Sequence, residues 1–282
     1  MTMNDFKGTT ISFIGTGVMA EAMIKAILDK RLIEAERIVG SGPRPQRARE
    51  LESAYGIVGT TDNRQAARAG EIAILSVKPQ VLPAVLTEIA GEVPRQSLVL
   101  SIVAGASIKM IGGVLGHEFI VRTMPNTPAQ VGEGMTVWTA TPKVTEEQRA
   151  QARIILRAMG EEIYVQDEGY LDMATALSGT GPAYVFLFME ALIDAGVHLG
   201  FSRRVSQELV LQTVQGSVAF ARQSTFHPAE LRNMVTSPGG TCAEALYQLE
   251  KGGLRTVLSR AVWAAYQKSK YLGGLAKNDL HP

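Results

Sequence analysis

The run Gly15-Thr16-Gly17-Val18-Met19-Ala20 constrains this chain more than any other feature. It has the form G-x-G-x-x-A, directly follows an apolar segment that reads as a strand (Thr10–Ile14), and opens a helical pattern over Val18–Lys30. Each position has a physical reason. The first glycine turns the chain sharply, the second lets backbone approach a pyrophosphate, and the small third residue lets helix and strand pack closely. The helix N-terminus then faces the negative charge with free N–H groups. A lone G-x-G-x-x-A says little, but one set between a first strand and its helix points to a dinucleotide. Ile14, Gly15, Thr16, Gly17, Val18 and Met19 are therefore the first candidate cofactor residues.

The pattern that follows is that of a parallel sheet with crossover helices. Further strands are predicted over Arg37–Gly40, Glu71–Val77, Leu98–Val103, Phe119–Thr123, Gly132–Ala140 and Glu162–Gln166. Helices are predicted between them over Pro45–Ala54, Gln80–Ala90, Ser107–Leu115 and Glu146–Met159. After Gln166 the strand signals stop. Helical patterns cover Tyr170–Leu177, Pro182–Leu199, Arg203–Arg222, Pro228–Val235, Cys242–Lys251 and Leu254–Tyr271, and Gly273–Pro282 is expected to fray. This change of class sets the expected boundary: residues 1–166 form a Rossmann-type α/β domain and residues 167–282 an all-α domain. A length of 282 residues suits two domains at about 150 residues each.

The acidic residue that grips a ribose 2′-hydroxyl belongs at the end of the second strand. Here that place reads Val39-Gly40-Ser41-Gly42-Pro43-Arg44, with no carboxylate. A hydroxyl and a guanidinium suit a 2′-phosphate, so Ser41 and Arg44 favour NADP(H) over NAD(H), with NAD(H) left open as a second cofactor. Arg47 and Arg49 follow, and for these a solvated helix face is the serious alternative. Three later strand ends complete the expected crevice: Ser76-Val77-Lys78-Pro79, Ile102-Val103-Ala104-Gly105 and Met124-Pro125-Asn126-Thr127-Pro128. Two prolines hold the last one rigid and aim Asn126, a neutral donor and acceptor suited to a nicotinamide or its ribose.

A second receptor lies at Ser237-Pro238-Gly239-Gly240-Thr241-Cys242, ahead of a helix. Glycines leading into a helix N-terminus make a nest of N–H groups sized for a small carboxylate, with mere capping as the plain alternative. Ser178-Gly179-Thr180-Gly181-Pro182 is read as a similar loop leading into a helix. No Ser/His/Asp arrangement and no Schiff-base lysine stand out, so the chemistry is expected from the cofactor.

The helix Pro182–Leu199 is apolar nearly all round, apart from Glu190, Asp194 and His198 at i, i+4 and i+8. Such a helix must be buried on most sides, which in a small helical domain points to a second subunit. The remaining composition excludes other classes. Net charge is +1, which offers no reason to expect nucleic acid or an anionic membrane. The four histidines lie far apart, so no metal site is expected. The apolar stretch Met173–Met189 is interrupted and too short for a span, and Asp5 and Lys7 precede the first apolar run, unlike a signal peptide. A single cysteine fits a cytoplasmic protein.

Taken together, the motifs resemble the pyrroline-5-carboxylate reductase family, from Ile11 to about Leu272. The resemblance is carried by Met124-Pro-Asn-Thr-Pro128, Leu177-Ser-Gly-Thr-Gly-Pro-Ala-Tyr184, Val235-Thr-Ser-Pro-Gly-Gly-Thr241 and Leu249-Glu-Lys-Gly-Gly-Leu-Arg255. It implies an N-terminal Rossmann domain, a helical dimerisation domain, and dimers assembling further into decameric rings. It implies hydride transfer from NAD(P)H to the imine carbon of 1-pyrroline-5-carboxylate, giving L-proline. By the same resemblance Glu168, Ser178 and Gly179 lie near the substrate, Ser237, Pro238, Gly239, Gly240 and Thr241 hold its carboxylate, and Asn63 borders the cofactor with Ser41, Ser76–Pro79 and Ile102–Ala104. Cys242 stands where the family commonly has a threonine whose hydroxyl reaches the substrate nitrogen. That catalytic role falls to this weaker donor, to Thr241 or to a water. Two rivals remain at this point. A β-hydroxyacid or imine reductase would use a Lys or Asp on a long interdomain helix, where this chain offers Asp194 but no lysine. A non-catalytic NADP-binding sensor would not need the second nest.

Overall fold

Ile11–Ile14 (β1) is buried at every position, as are Ile72–Leu75 (β4) and Leu98–Ser101 (β5), the mark of strands covered on both faces. Around them lie Ile38–Ser41 (β2), Val58–Thr60 (β3), Ile120–Met124 (β6), Gly134–Ala140 (β7) and Gly160–Tyr164 (β8). The sheet order is β3-β2-β1-β4-β5-β6-β7-β8. Its first six strands have the doubly wound order in which ligands bind outside the carboxyl ends of the strands. In the computed structural model Phe6 and residues 8–278 are described. Residues 1–5 and Lys7, on which the reading of the N-terminus rests in part, lie outside the described residues.

Helices cover both faces. Val18–Asp29 (α1), Pro45–Tyr55 (α2) and Glu146–Arg157 (α6) pack on one, with Met23, Ile24, Ile27, Leu51, Ile155 and Leu156 buried against Phe13 and Trp138. Asn63–Ala69 (α3), Leu82–Glu88 (α4) and Ile108–Leu115 (α5) pack on the other, through Ala67, Leu86, Met110 and Ile111. Local chemistry explains several ends. Pro45 opens α2, where its missing N–H costs nothing, and Thr145 with Gln148 closes a capping box on α6. The apolar pattern does not predict α3; its signal is Asp62, whose carboxylate accepts from the N–H groups of Arg64 and Gln65.

One pairing departs from the expected parallel sheet: β6 and β7 run antiparallel. Only the short 3-10 turn Thr127–Val131 joins them, and that is too brief for a crossover. The β7–β8 connection contains α6 and restores parallel pairing.

Tyr170–Ala174 (α7) continues through a π-helical turn, Thr175–Gly179, into Gly181–His198 (α8). Then follow Arg203–Gln223 (α9), Pro228–Met234 (α10), Thr241–Lys251 (α11) and Leu254–Asn278 (α12). The last helix runs past Gly273, where fraying was expected, and 279–282 lie outside the described residues. The chain divides into two compact units, residues up to Thr180 with those from Ala265 onward, and Gly181–Ala264. This division differs from the expected 166/167 boundary because α7 and the end of α12 pack with the sheet: the Ser269 hydroxyl donates to Asp172 at 2.7 Å.

In the second unit α8 and α9 pack closely at Gly196, where a Cβ would stand 2.7 Å from the Ser206 hydroxyl. Yet among the described residues α8 buries no side chain; Phe186 is 62% and Leu187 67% exposed. With Ile193 and Leu211 they line a groove of about 540 Å³. By length and composition alone the segment Tyr170–His198 could cross a membrane. Apolar surface of this extent on one chain needs a partner.

Candidate active site

Parallel pairing sets the carboxyl ends of the strands in one row. Ile14 lies beside Ser41 and Leu75, and Leu75 beside Ser101. The loops that leave these ends are those singled out in the sequence.

At the end of β1, Gly15 adopts φ +101, open to glycine but strained for other residues. A Cβ there would stand 2.8 Å from the Ser76 carbonyl carbon and the Val77 nitrogen. The Ser76 hydroxyl completes this join by donating to the Gly15 carbonyl at 2.6 Å. Ser76 thus shapes the glycine loop. Gly17 differs: its backbone is ordinary, and a Cβ would meet nothing within 4 Å. Glycine at Gly17 therefore keeps open the space in front of α1. Thr16 is buried, in room left by Gly40 and Gly42, where a Cβ would stand 2.9 and 2.7 Å from its side chain.

The helix N-termini fall into two kinds. Asp62, Ser107, Thr145 and Ser202 cap α3, α5, α6 and α9 with their side chains. No side chain caps α2, α4 or α7, nor do the N-caps of α1 and α11, Gly17 and Gly240, offer one. Those of α1 and α11 are the N-termini assigned above to a pyrophosphate and a carboxylate. An uncapped N-terminus retains N–H groups for an anion, so the residues present fit a dinucleotide phosphate at α1.

At the end of β2 the Ser41 hydroxyl is buried and lies 2.8 Å from the Asn63 side-chain oxygen, while the Asn63 amide donates to Glu88 at 2.8 Å. Arg44 is exposed and lines a cleft of about 350 Å³ together with Gln46, Arg47 and Glu50. Arg47 is no solvated cation. Its guanidinium donates to the Thr16 carbonyl at 3.2 Å and pairs closely with Glu21, binding α2 to the glycine loop. The hydrogen bond from Arg47 to Glu21 holds the Glu21 carboxyl below its ordinary pKa, against a smaller opposing effect of burial. Arg49 stays exposed as expected.

Beyond β4, Val77 is half-buried and Lys78 and Pro79 are exposed. Beyond β5, Val103 turns into the core while Ile102 and Ala104 stay half-exposed. After β6 and Pro125, Asn126 accepts from the Met135 N–H at 2.9 Å and donates to the Ser178 hydroxyl at 3.1 Å. Ser178 and Gly179 thus reach the strand-end row, and a Cβ on Gly179 would lie 2.7 Å from the Met124 methyl. The segment Ser178–Pro182 is not the loop expected of it. The Thr180 N–H reaches back five residues to the Thr175 carbonyl at 2.8 Å, forming a π turn just before Pro182, which has no N–H to give. Glu168 accepts from Arg122 at 2.6 Å and from the Ile108 N–H at 2.8 Å. Arg122, which holds Glu168 in place, is a residue that the sequence reading did not single out.

In the second unit Ser237–Gly240 forms a turn closed by the Gly240 N–H on the Ser237 carbonyl at 3.1 Å, with Gly239 at φ +68. Thr241 and Cys242 occupy the first turn of α11, and Cys242 is exposed as a free thiol. Asp194, the rival reading's candidate, is exposed and paired with Arg203 at 2.8 Å.

Sheet order, glycine loop and a helical second unit place the chain among proteins with a dinucleotide-binding domain followed by a helical one. Residues 168–272 match the family model for pyrroline-5-carboxylate reductase dimerisation, and residues 10–105 match that described as NADP oxidoreductase, coenzyme F420-dependent. Pyrroline-5-carboxylate reductase of Synechocystis sp. is 42% identical, over 93% of this chain and 98% of its own. That of Pisum sativum is 38% identical, over 93% and 96%. The crystal structure of Plasmodium falciparum pyrroline carboxylate reductase with NADP bound superposes with a TM-score of 0.87 at 35% identity, covering 95% of this chain and 99% of that one. The chain belongs to the pyrroline-5-carboxylate reductase family.

Proposed function

We propose that this protein reduces 1-pyrroline-5-carboxylate to L-proline with NADPH. The observation that carries this is family membership over nearly the whole length, at 42% identity to a relative of that name. NADPH, when bound, supplies a hydride. The hydride adds to the ring imine carbon, the imine π pair moves to nitrogen, and the proton of the iminium form remains there, giving a secondary amine and NADP⁺. A protonated cyclic imine is already electrophilic, so the protein's tasks are positioning and exclusion of water.

Each task falls to named groups. Gly15–Met19 and the α1 N-terminus hold the pyrophosphate, and Ile14, Ser76–Pro79, Ile102–Ala104, Pro125 and Asn126 border the cofactor. Ser41 and Asn63 brace the end of β2, and exposed Arg44 meets the 2′-phosphate. The turn Ser237–Gly240 and the uncapped start of α11 take the substrate carboxylate, with Ser178 and Gly179 near the substrate. The Thr241 hydroxyl is the stronger donor for the ring nitrogen, with the Cys242 thiol beside it in sequence.

The assay that tests the reading follows NADPH oxidation on addition of pyrroline-5-carboxylate, with hydroxyisobutyrate-type acids and NADP⁺ as the reverse control. Turnover is expected only in the first. An Arg44→Asp variant should raise the KM for NADPH about tenfold or more and leave that for NADH nearly unchanged, since only NADPH carries the phosphate. Equal losses with both cofactors would take Arg44 out of the phosphate site.

The dimerisation domain gives the exposed face of α8 its cover, and the dimers assemble further into decamers in the cytoplasm. Light scattering checks this. Phe186→Asp with Leu187→Asp should yield monomers, because two carboxylates cannot be buried unpaired. An unchanged oligomer would put the interface elsewhere.

A further inference from the structure

Glu168 is the part-buried half of a junction, with a buried arginine, that no motif announces. One of its carboxylate oxygens accepts twice, from the Arg122 guanidinium at 2.6 Å and from the Ile108 N–H at 2.8 Å. Ile108 is the first residue of α5, and the loop just before it is Ile102–Ser107. The side chain of Arg122 is only 7% exposed. It sits on β6 beside Ser101, the last residue of β5, and two residues before Met124. Its second nitrogen lies 4.0 Å from Asp172 on α7, which also accepts from the Ser269 hydroxyl of α12. The same stretch of α12 reaches the loop itself, with the Gly273 nitrogen 3.3 Å from where a Cβ on Gly105 would lie. The Arg122 side chain therefore ties β6 to Glu168 and to Asp172 on the helix leading to Ser178, and Glu168 in turn holds the start of α5.

We propose that Glu168 is a positioning residue, acting through Arg122 and the α5 N-terminus to hold the Ile102–Ala104 loop in its cofactor-binding shape rather than by touching the substrate. Glu168 is 30% exposed and borders a cavity of about 350 Å³ with Gly105, Ser107 and Asp172. Even so, it commits one oxygen to a buried cation and a backbone N–H, a charge-assisted arrangement with strict geometry. An ion pair in such surroundings gains little net stability over apolar packing, but it fixes the elements it joins. The inference rests on the reading that Ile102–Ala104 borders the cofactor.

The test is a fluorescence titration with NADPH alone, alongside steady-state kinetics, on Glu168→Ala and Glu168→Gln. The alanine variant should weaken NADPH binding about tenfold, a loss in the range of one charge-assisted hydrogen bond. Its KM for pyrroline-5-carboxylate at saturating NADPH should stay within about twofold of the parent, the change expected when no substrate contact is lost. Glutamine keeps an oxygen for the Ile108 N–H and should recover most of the NADPH affinity. Unchanged NADPH binding with a raised substrate KM would overturn the proposal and make Glu168 a substrate contact. A lower melting temperature with both constants unchanged would overturn it too. If the alanine variant fails to fold, Arg122→Lys takes its place: it should weaken NADPH binding with the substrate KM nearly unchanged, and unchanged NADPH binding there would overturn the proposal. The titration needs no substrate, so a failure of the substrate assignment shows separately, as absent turnover in the parent enzyme.

Discussion

A Gly17→Val variant is expected to fold with unchanged thermal stability and to bind NADPH about a hundredfold more weakly, the equivalent of about 2.7 kcal/mol. The backbone at Gly17 is ordinary and nothing lies within 4 Å of a Cβ, so a side chain can start there without a clash. What it fills is the space before the uncapped start of α1. Gly15→Ala should behave differently. With φ +101 and backbone atoms 2.8 Å from the new Cβ, it should cost about 2–3 kcal/mol of stability along with NADPH binding. Calorimetry and cofactor titration on the two variants separate a glycine that shapes the loop from one that leaves room for the ligand. A Gly17→Val enzyme with full NADPH affinity would move the pyrophosphate away from α1.

Gly240→Val is expected to raise the KM for pyrroline-5-carboxylate about a hundredfold or more, as charge-assisted contacts to the carboxylate are lost. NADPH binding should not change. A Cβ at Gly240 would stand 2.5 Å from the Ser237 hydroxyl and 3.2 Å from its carbonyl oxygen, so the hydroxyl must rotate away and the turn must shift. The uncapped N–H groups of α11 then lose their concave setting. The reverse pattern, a normal substrate KM with weakened NADPH, would place the nest on the cofactor.

Much of this is legible in local pattern. The glycine run between β1 and α1, the buried strands and the later loss of strand signals lead to a largely parallel sheet with crossover helices and to the helical second unit. The apolar composition of α8 outside its Glu190, Asp194 and His198 stripe is enough to point to a partner surface. What stays hidden depends on residues distant in the chain. Arg47 reaches Thr16 across 31 residues, and Arg122 reaches Glu168 across 46. Neither arginine has a local feature that distinguishes it from a surface cation. From its place at the end of β2 Ser41 reads as a phosphate ligand, whereas its hydroxyl is turned inward to Asn63. The π turn at Thr175–Gly179 is masked because Ser, Gly, Thr and Pro together spell a loop in most settings. The antiparallel β7 has a readable signal in the brevity of the Thr127–Val131 connection.

Residue roles and cofactor preference all hang on one reaction, and its product can be read directly. The enzyme is incubated with pyrroline-5-carboxylate and NADPH deuterated at the transferring nicotinamide carbon, and the amino acid formed is analysed by mass spectrometry and NMR. The account predicts L-proline carrying one deuterium on the ring carbon next to nitrogen that was the imine carbon, in equal amount to the NADP⁺ formed. Folded, dimeric protein that yields no proline, or proline without the label, would contradict it.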